Sequence, residues 1–266
     1  KLRDSRMKDD NQQLQNVDEK RSVASRGVLF LILAVLVVYA PAVTFDFVEW
    51  DDPVNVSENA DLYPPDADFL RAVWTGPYEG LYIPVTYTVW AAAASLQQSG
   101  PDMRPLHPAL FHAVNVLLHV VSALLVYRLL CWFVRSRGVC LTGAAIFALH
   151  PVQAESVAWV TGLKDVLSGA FSLCAVWLYL RSAALDRAQT AGNGAAAGAD
   201  AEGSVFPGLQ AARAGTRRRG VWRRYALATL SFLAALLSKP SAVAIPLVVA
   251  GLDVRLLPDE DPSYPL

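Results

Sequence analysis

The sequence predicts an all-α integral membrane protein, a multi-helix bundle whose first extramembrane loop carries short interfacial helices. Three observations carry that expectation. Of the 266 residues, 54% are apolar and only 18% charged, with a mean hydropathy of +0.32, which is too greasy for an ordinary soluble domain. Apolar runs recur along the chain, the first from Val28 to Phe45, and eighteen helical residues rise about 27 Å, enough to cross a hydrocarbon core. Finally, the lysines and arginines gather in segments that alternate with these runs, as they do on the cytoplasmic side of membrane proteins. The net charge of −1 argues against nucleic acid as a partner. Cys131, Cys140 and Cys174 lie in or beside apolar runs without CxxC or Cys/His spacing, so they read as packing residues, and neither a disulfide, a metal nor a cofactor is expected.

Residues 1–27 are polar and cation-rich and read as a disordered cytoplasmic tail. The first span, 28–45, suits a signal anchor, since the polar segment ahead of it is long for a signal peptide. Residues 46–110 then form a non-cytoplasmic loop rich in proline, aromatics and acids, with Arg71 and Arg104 as its cations. Within it Asn55-Val56-Ser57 is a glycosylation sequon. Pro65 and Asp66 open a short helix that Gly76-Pro77 closes, and the apolar run from Tyr82 to Leu96, with aromatic and hydroxyl edges, suits a helix lying in the interface.

The second span is 111–134. His112, Asn115 and His119 share one of its faces; the two histidines lie two turns, about 10 Å, apart, so hydrogen bonds in packing fit better than a metal site. A third span, 141–162, is expected to kink at Pro151, and a fourth, 163–181, returns. Residues 182–223, rich in Ala and Gly and ending in arginines, read as a flexible basic cytoplasmic loop. Two short apolar runs, 224–238 and 240–253, are broken by Lys239-Pro240; placing Lys239 at the outer surface costs less than placing it at mid-membrane. Counting both as spans gives six, with the N-terminus and residues 254–266 cytoplasmic.

The chemistry concentrates at the outer ends of these spans. Asp51 and Asp52 follow the first span directly, and adjacent carboxylates at a membrane surface must find donors or share a proton, which is one way to prepare a general base. Acids in that position also serve as a solvated cap. His150, Glu155, Lys164 and Asp165 add four titratable groups at the same level, and ionisable groups at membrane depth are functional candidates.

Several stretches, in order, carry a resemblance: Trp50-Asp51-Asp52; Tyr82-Ile83-Pro84-Val85-Thr86; Phe111-His112-Ala113-Val114-Asn115-Val116-Leu117-Leu118-His119; the run from Phe147 through His150-Pro151 to Val160; Lys164-Asp165-Val166-Leu167-Ser168; and Ser238-Lys239-Pro240. Together, over residues 28–257, this pattern resembles the membrane half of the transmembrane and tetratricopeptide-repeat proteins, which belong with the GT-C glycosyltransferases and are similar to the protein O-mannosyltransferases. The resemblance implies a GT-C-like bundle in the endoplasmic reticulum membrane that moves mannose from a dolichyl-phosphate (polyprenyl-phosphate) donor to Ser/Thr hydroxyls of acceptor proteins. It implies Asp51 and Asp52 as catalytic acids in the first lumenal loop. His150, Lys164 and Lys239 are the donor-phosphate candidates, and Glu155 and Asp165 the supporting groups, with Glu155 a structural partner for Lys164. It also implies an arginine where Ile83 stands, and helical repeats beyond Leu266. A catalytically silent membrane scaffold with the same frame is the alternative. A transporter would want an inverted internal repeat, which the sequence lacks.

Overall fold

A computed structural model describes residues 25–98, 105–199 and 207–256. Among them the protein is helical with no strand, an all-α integral membrane protein. The helices are α1 (Ser25–Thr44, ending in a 3-10 turn), α2 (Ala67–Thr75), α3 (Pro84–Gln97), α4 (Pro108–Phe133), α5 (Arg137–Leu149), α6 (Gln153–Ala158), α7 (Leu163–Ala199), α8 (Pro207–Ser238) and α9 (Ile245–Leu256). The chain forms two compact units, the first from Lys1–Asn59 and Gln97–Val166, the second from Ala60–Leu96 and Leu167–Leu266.

In the first unit α4 packs against α5, α6 and the 3-10 end of α1. Leu31, Val35, Tyr39, Val116, Ala144 and Val157 supply much of its buried core. Gly143 lets α5 approach closely: a Cβ there would come within 2.8 Å of Leu130, the small-residue contact that membrane helices use. α4 starts at Pro108, which has no N–H to lose, and His107 Nδ1 caps it by accepting from Ala109 N at 3.2 Å.

The second unit is held at α3. Asp66 caps α2 by accepting from Phe69 N at 2.8 Å. The turn at Tyr78–Leu81 bends through Glu79 and Gly80, at φ 47° and 75°, and a glycine takes the latter without strain. Phe69, Tyr78, Tyr87 and Trp90 then meet edge to face with centroids 5.1 to 6.3 Å apart. Thr86 donates to Ser238 O at 3.1 Å, tying α3 to the end of α8.

Three expectations change. Of the six spans, three correspond to helices long and apolar enough to cross among the described residues, Ser25–Thr44, Pro108–Phe133 and Val160–Asp186, while Arg137–Leu149 and Pro240–Leu252 are shorter apolar helices. The expected kinked helix 141–162 is broken instead. Pro151 pushes His150 to an extended conformation (ψ 132°) and α5 ends there; α6 and a 3-10 turn, Val160–Gly162, follow as separate pieces. The expected flexible loop 182–223 is helical up to Ala199 and again from Pro207, in keeping with its alanines, and the apolar run 224–238 is the last part of the long helix α8. The tail reading falls almost wholly on residues 1–24, and the terminal segment 254–266 largely beyond Leu256, outside the described residues.

Candidate functional site

The first unit brings the chain after α1 against the segment that joins α6 to α7. Phe47 packs on Phe111, with ring centroids 6.0 Å apart, and the chain then turns through Pro53–Ser57. Asn55 fixes this turn: its backbone N–H and its side-chain amide both donate to Asp51 O, at 3.1 and 2.8 Å. Asn55, the asparagine of the sequon, is only 5% exposed, and its amide nitrogen is engaged by Asp51 O.

The two aspartates have separate surroundings. Asp52 is completely buried, and its carboxylate accepts from three donors: Val48 N at 2.9 Å, Thr161 N at 2.9 Å and the Thr161 hydroxyl. Thr161 is itself fully buried. Charge-assisted bonds of this kind are roughly twice as strong as neutral ones, so Asp52 clamps the loop after α1 to the turn before α7. Gly162 makes the turn possible, since a Cβ there would lie 2.4 Å from Ser156 O.

Asp51 keeps an accessible carboxylate. Its side chain is 38% exposed and pairs with Lys164 at 3.4 Å, whose own side chain is 19% exposed. Lys164 stands in the first turn of α7, where the helix dipole disfavours a cation. Asp51 and the Trp159 ring, whose centroid is 5.6 Å from the ammonium, offset that cost. Asp165, half-buried in the same turn, has the sign the dipole favours.

The remaining expected residues lie elsewhere. Glu155 is exposed on the first turn of α6, and Lys164 pairs with Asp51, not with Glu155 as expected. His150 is exposed at the end of α5, where its Nδ1 accepts from Val152 N at 3.2 Å; it also borders an apolar groove of 490 Å³ with Phe30 and Ile146. Lys239 belongs to the second unit, half-buried between α8 and the 3-10 turn Pro240–Ala244. Among the described residues no three His, Cys, Asp or Glu side chains are arranged to hold a metal.

Sequence reasoning missed Thr161 and Trp159. A hydroxyl residue beside a glycine, just before the Lys164-Asp165 pair, is a faint signal for the first; nothing short of the fold announces the second. The packing role expected on α4 holds for Asn115, which donates to Trp159 O at 2.7 Å, and for His119, whose Nε2 lies 2.8 Å from Ala148 O.

No protein-family model and no solved structure matches the chain. Curated proteins do. Protein O-mannosyl-transferase TMTC1 of Mus musculus is 41% identical over 78 residues, 29% of this chain and 8% of that protein. A protein O-mannosyl-transferase of Caenorhabditis elegans is 28% identical over 177 residues, 62% of this chain and 24% of its own length. The chain is similar to the TMTC proteins. Protein O-mannosyl-transferase TMTC3 of Mus musculus extends the likeness, at 24% identity over 59% of this chain and 17% of its own. The chain therefore spans between 8 and 24% of the length of these TMTC-type relatives.

Proposed function

We propose that this chain forms the acidic side of a mannosyl-transfer site in the endoplasmic reticulum membrane. The donor is dolichyl phosphate mannose, the acceptors are Ser/Thr hydroxyls of secretory-pathway proteins, the N-terminus is cytoplasmic, and Asp51 faces the lumen as the general base. Relatives named as protein O-mannosyl-transferases support the reaction class. The observation that carries the assignment of the base is the division between the aspartates: Asp52 is sealed by three donors, and Asp51 keeps an exposed carboxylate beside a lysine.

The step balances on these residues. The acceptor oxygen forms a bond to the anomeric carbon as the bond from that carbon to the donor phosphate breaks. The hydroxyl proton passes to Asp51, and the electron pair leaves with dolichyl phosphate. An alcohol is a poor nucleophile at neutral pH, so the carboxylate that takes its proton contributes about 10²–10⁴-fold. The leaving phosphate is already an anion, so a cation beside it serves better than a general acid. Lys164 has that role: a partly exposed ion pair is worth about 0–1 kcal/mol, so an incoming phosphate draws the ammonium away and frees Asp51 to accept the proton. His150 is a donor-phosphate group by residue type, outside the Asp51–Lys164 pair. Asp165 and Glu155 support the first turns of α7 and α6, and Lys239 is a donor-phosphate group by residue type.

The test uses the full-length parent protein in membranes with radiolabelled dolichyl phosphate mannose and mixed acceptor proteins. Asp51→Asn abolishes transfer while the protein still folds; transfer that survives this substitution refutes the assignment. The Asp51–Lys164 pair also favours a second reading, a silent scaffold in which the two merely tether a loop, and a wild-type protein that inserts but never transfers mannose selects it.

A further inference from the structure

Two helices of the second unit meet in register where their apolar stretches end. Neither 167–180 on α7 nor 225–238 on α8 contains a charged residue. The Tyr179 and Tyr225 rings lie with centroids 5.9 Å apart, and the Ser231 hydroxyl donates to Cys174 Sγ at 3.7 Å. Five positions back along α7 and six forward along α8 lead from the first contact to the second, so the helices run antiparallel and stay level. Past the ring pair both turn basic at once. Arg181 follows Tyr179 by two residues on α7, and Arg223 and Arg224 stand just before Tyr225 on α8, each within about 3 Å of the ring level by helical rise. α8 carries six arginines and no acid, and the first acid past Arg181 on α7 is Asp186, about 7.5 Å further out.

The exposed side chains fix what this end of the helix pair faces. On the apolar side Leu227, Leu230 and Leu233 are exposed about one turn apart along α8, a lipid-facing row in an integral membrane protein. At the boundary Trp222 is 71% exposed, with its ring centroid 6.4 Å from that of Tyr225. Tryptophan and tyrosine favour the headgroup level, where the ring meets the chains and the N–H or O–H meets water. On the polar side Arg223 and Arg181 are exposed, and the Arg181 guanidinium lies 4.9 Å from the Trp177 ring centroid, which holds its plane while its N–H edge can still donate. Guanidinium groups fork onto phosphate oxygens, and clusters of one sign beside an apolar helix attract anionic lipid. A nucleic acid or an acidic protein matches the charge but not the leucine row and the boundary rings that continue into it. We propose that Arg181, Arg223 and Arg224, with Trp222 at their edge, bind the phosphate headgroups of anionic phospholipids at the membrane surface where α7 and α8 emerge. This lipid site does not depend on the mannosyl-transfer chemistry.

The test reads tryptophan emission of the full-length parent reconstituted in vesicles of phosphatidylcholine and phosphatidylserine, with one lipid or the other brominated on its chains. Each protein is compared with its own Trp222→Phe variant, so that the difference isolates Trp222, and bromine quenches only on contact. Each arginine beside an anionic surface is worth roughly a fivefold preference. Brominated phosphatidylserine therefore quenches Trp222 more than brominated phosphatidylcholine does at equal mole fraction. The triple variant Arg181→Gln, Arg223→Gln, Arg224→Gln loses that preference but keeps the quenching by brominated phosphatidylcholine, which reports that the helices are still inserted. Added sodium chloride weakens the wild-type preference. Arg223→Gln alone, at an exposed side chain, gives about a fivefold drop and decides the matter if the triple variant does not insert. Equal quenching by the two lipids in wild type, or a preference that the arginine variants retain, overturns the proposal. So does Trp222 emission that aqueous iodide reaches and neither lipid does, which gives this face to a soluble acidic partner. Inorganic phosphate that removes the preference at an ionic strength where chloride does not also overturns it, since free phosphate is then the ligand.

Discussion

Replacing Asp52 by alanine tests the difference in surroundings between the two neighbouring aspartates. The substitution deletes an acceptor for Val48 N and leaves the Thr161 N–H and hydroxyl, both fully buried, without their partner. Each buried group stranded in this way costs about 1–3 kcal/mol, so the two together come to about 2–6 kcal/mol, and the lost bond to Val48 adds to that. Against a total folding stability of roughly 5–15 kcal/mol that is a severe loss. Asp51→Asn removes only a partly exposed ion pair, at 38% and 19% exposure, and costs about 0–1 kcal/mol. Thermal unfolding of the purified protein, followed by size-exclusion recovery after a temperature series, reads the contrast directly. Asp52→Ala falls far below wild type, and Asp51→Asn stays close to it. Equal losses for both, or an Asp52→Ala protein as stable as wild type, refute the division of roles.

Other outcomes follow from the same geometry. Thr161→Val keeps the shape and the backbone bond but removes the hydroxyl donor to Asp52, which lowers stability by about 1.5–3 kcal/mol in the same assay. Gly162→Ala drives a Cβ into Ser156 O, so the yield of monodisperse protein collapses, whereas Gly76→Ala, with open space around it, leaves the yield unchanged. Burial first, and the Glu79 charge second, push the Tyr87 phenol up to about 12 from its ordinary 10.0. An acid with a raised folded pKa contributes stability that is complete below pH 10.0 and is lost as pH rises through about 12, so Tyr87→Phe flattens the alkaline limb of the pH–stability curve. Endoglycosidase treatment gives the same gel shift for wild type and Asn55→Gln, the outcome expected of an amide packed at 5% exposure against Asp51 O.

The legible part of this chain was what depends on local pattern. Apolar runs fixed the places of α1, α4 and α7 because spanning length is a one-dimensional property, and Pro65-Asp66 announced α2 through its cap. The errors arose where two causes act at one residue. The missing N–H of Pro151 alone predicts a kink, but its restriction on His150 also turns the chain extended and ends α5 outright. Sequence proximity points Lys164 to Glu155, nine positions away, whereas its partner Asp51 comes from 113 positions away, a contact that only the return of the chain creates.

The same reasoning explains why two neighbouring aspartates were indistinguishable on paper. Their difference comes from Thr161, which sits one residue before a glycine that no other residue can replace, because Ser156 O occupies the space of a Cβ. The glycine permits the tight turn, and the turn delivers a backbone N–H and a hydroxyl to one carboxylate oxygen of Asp52. With Asp52 drawn inward, Asp51 is left half-exposed, and Asn55 holds its carbonyl so that its side chain stays beside Lys164. A base that must meet a mobile acceptor needs a carboxylate in the open on a fixed backbone. Of the two aspartates, Asp51 alone has both.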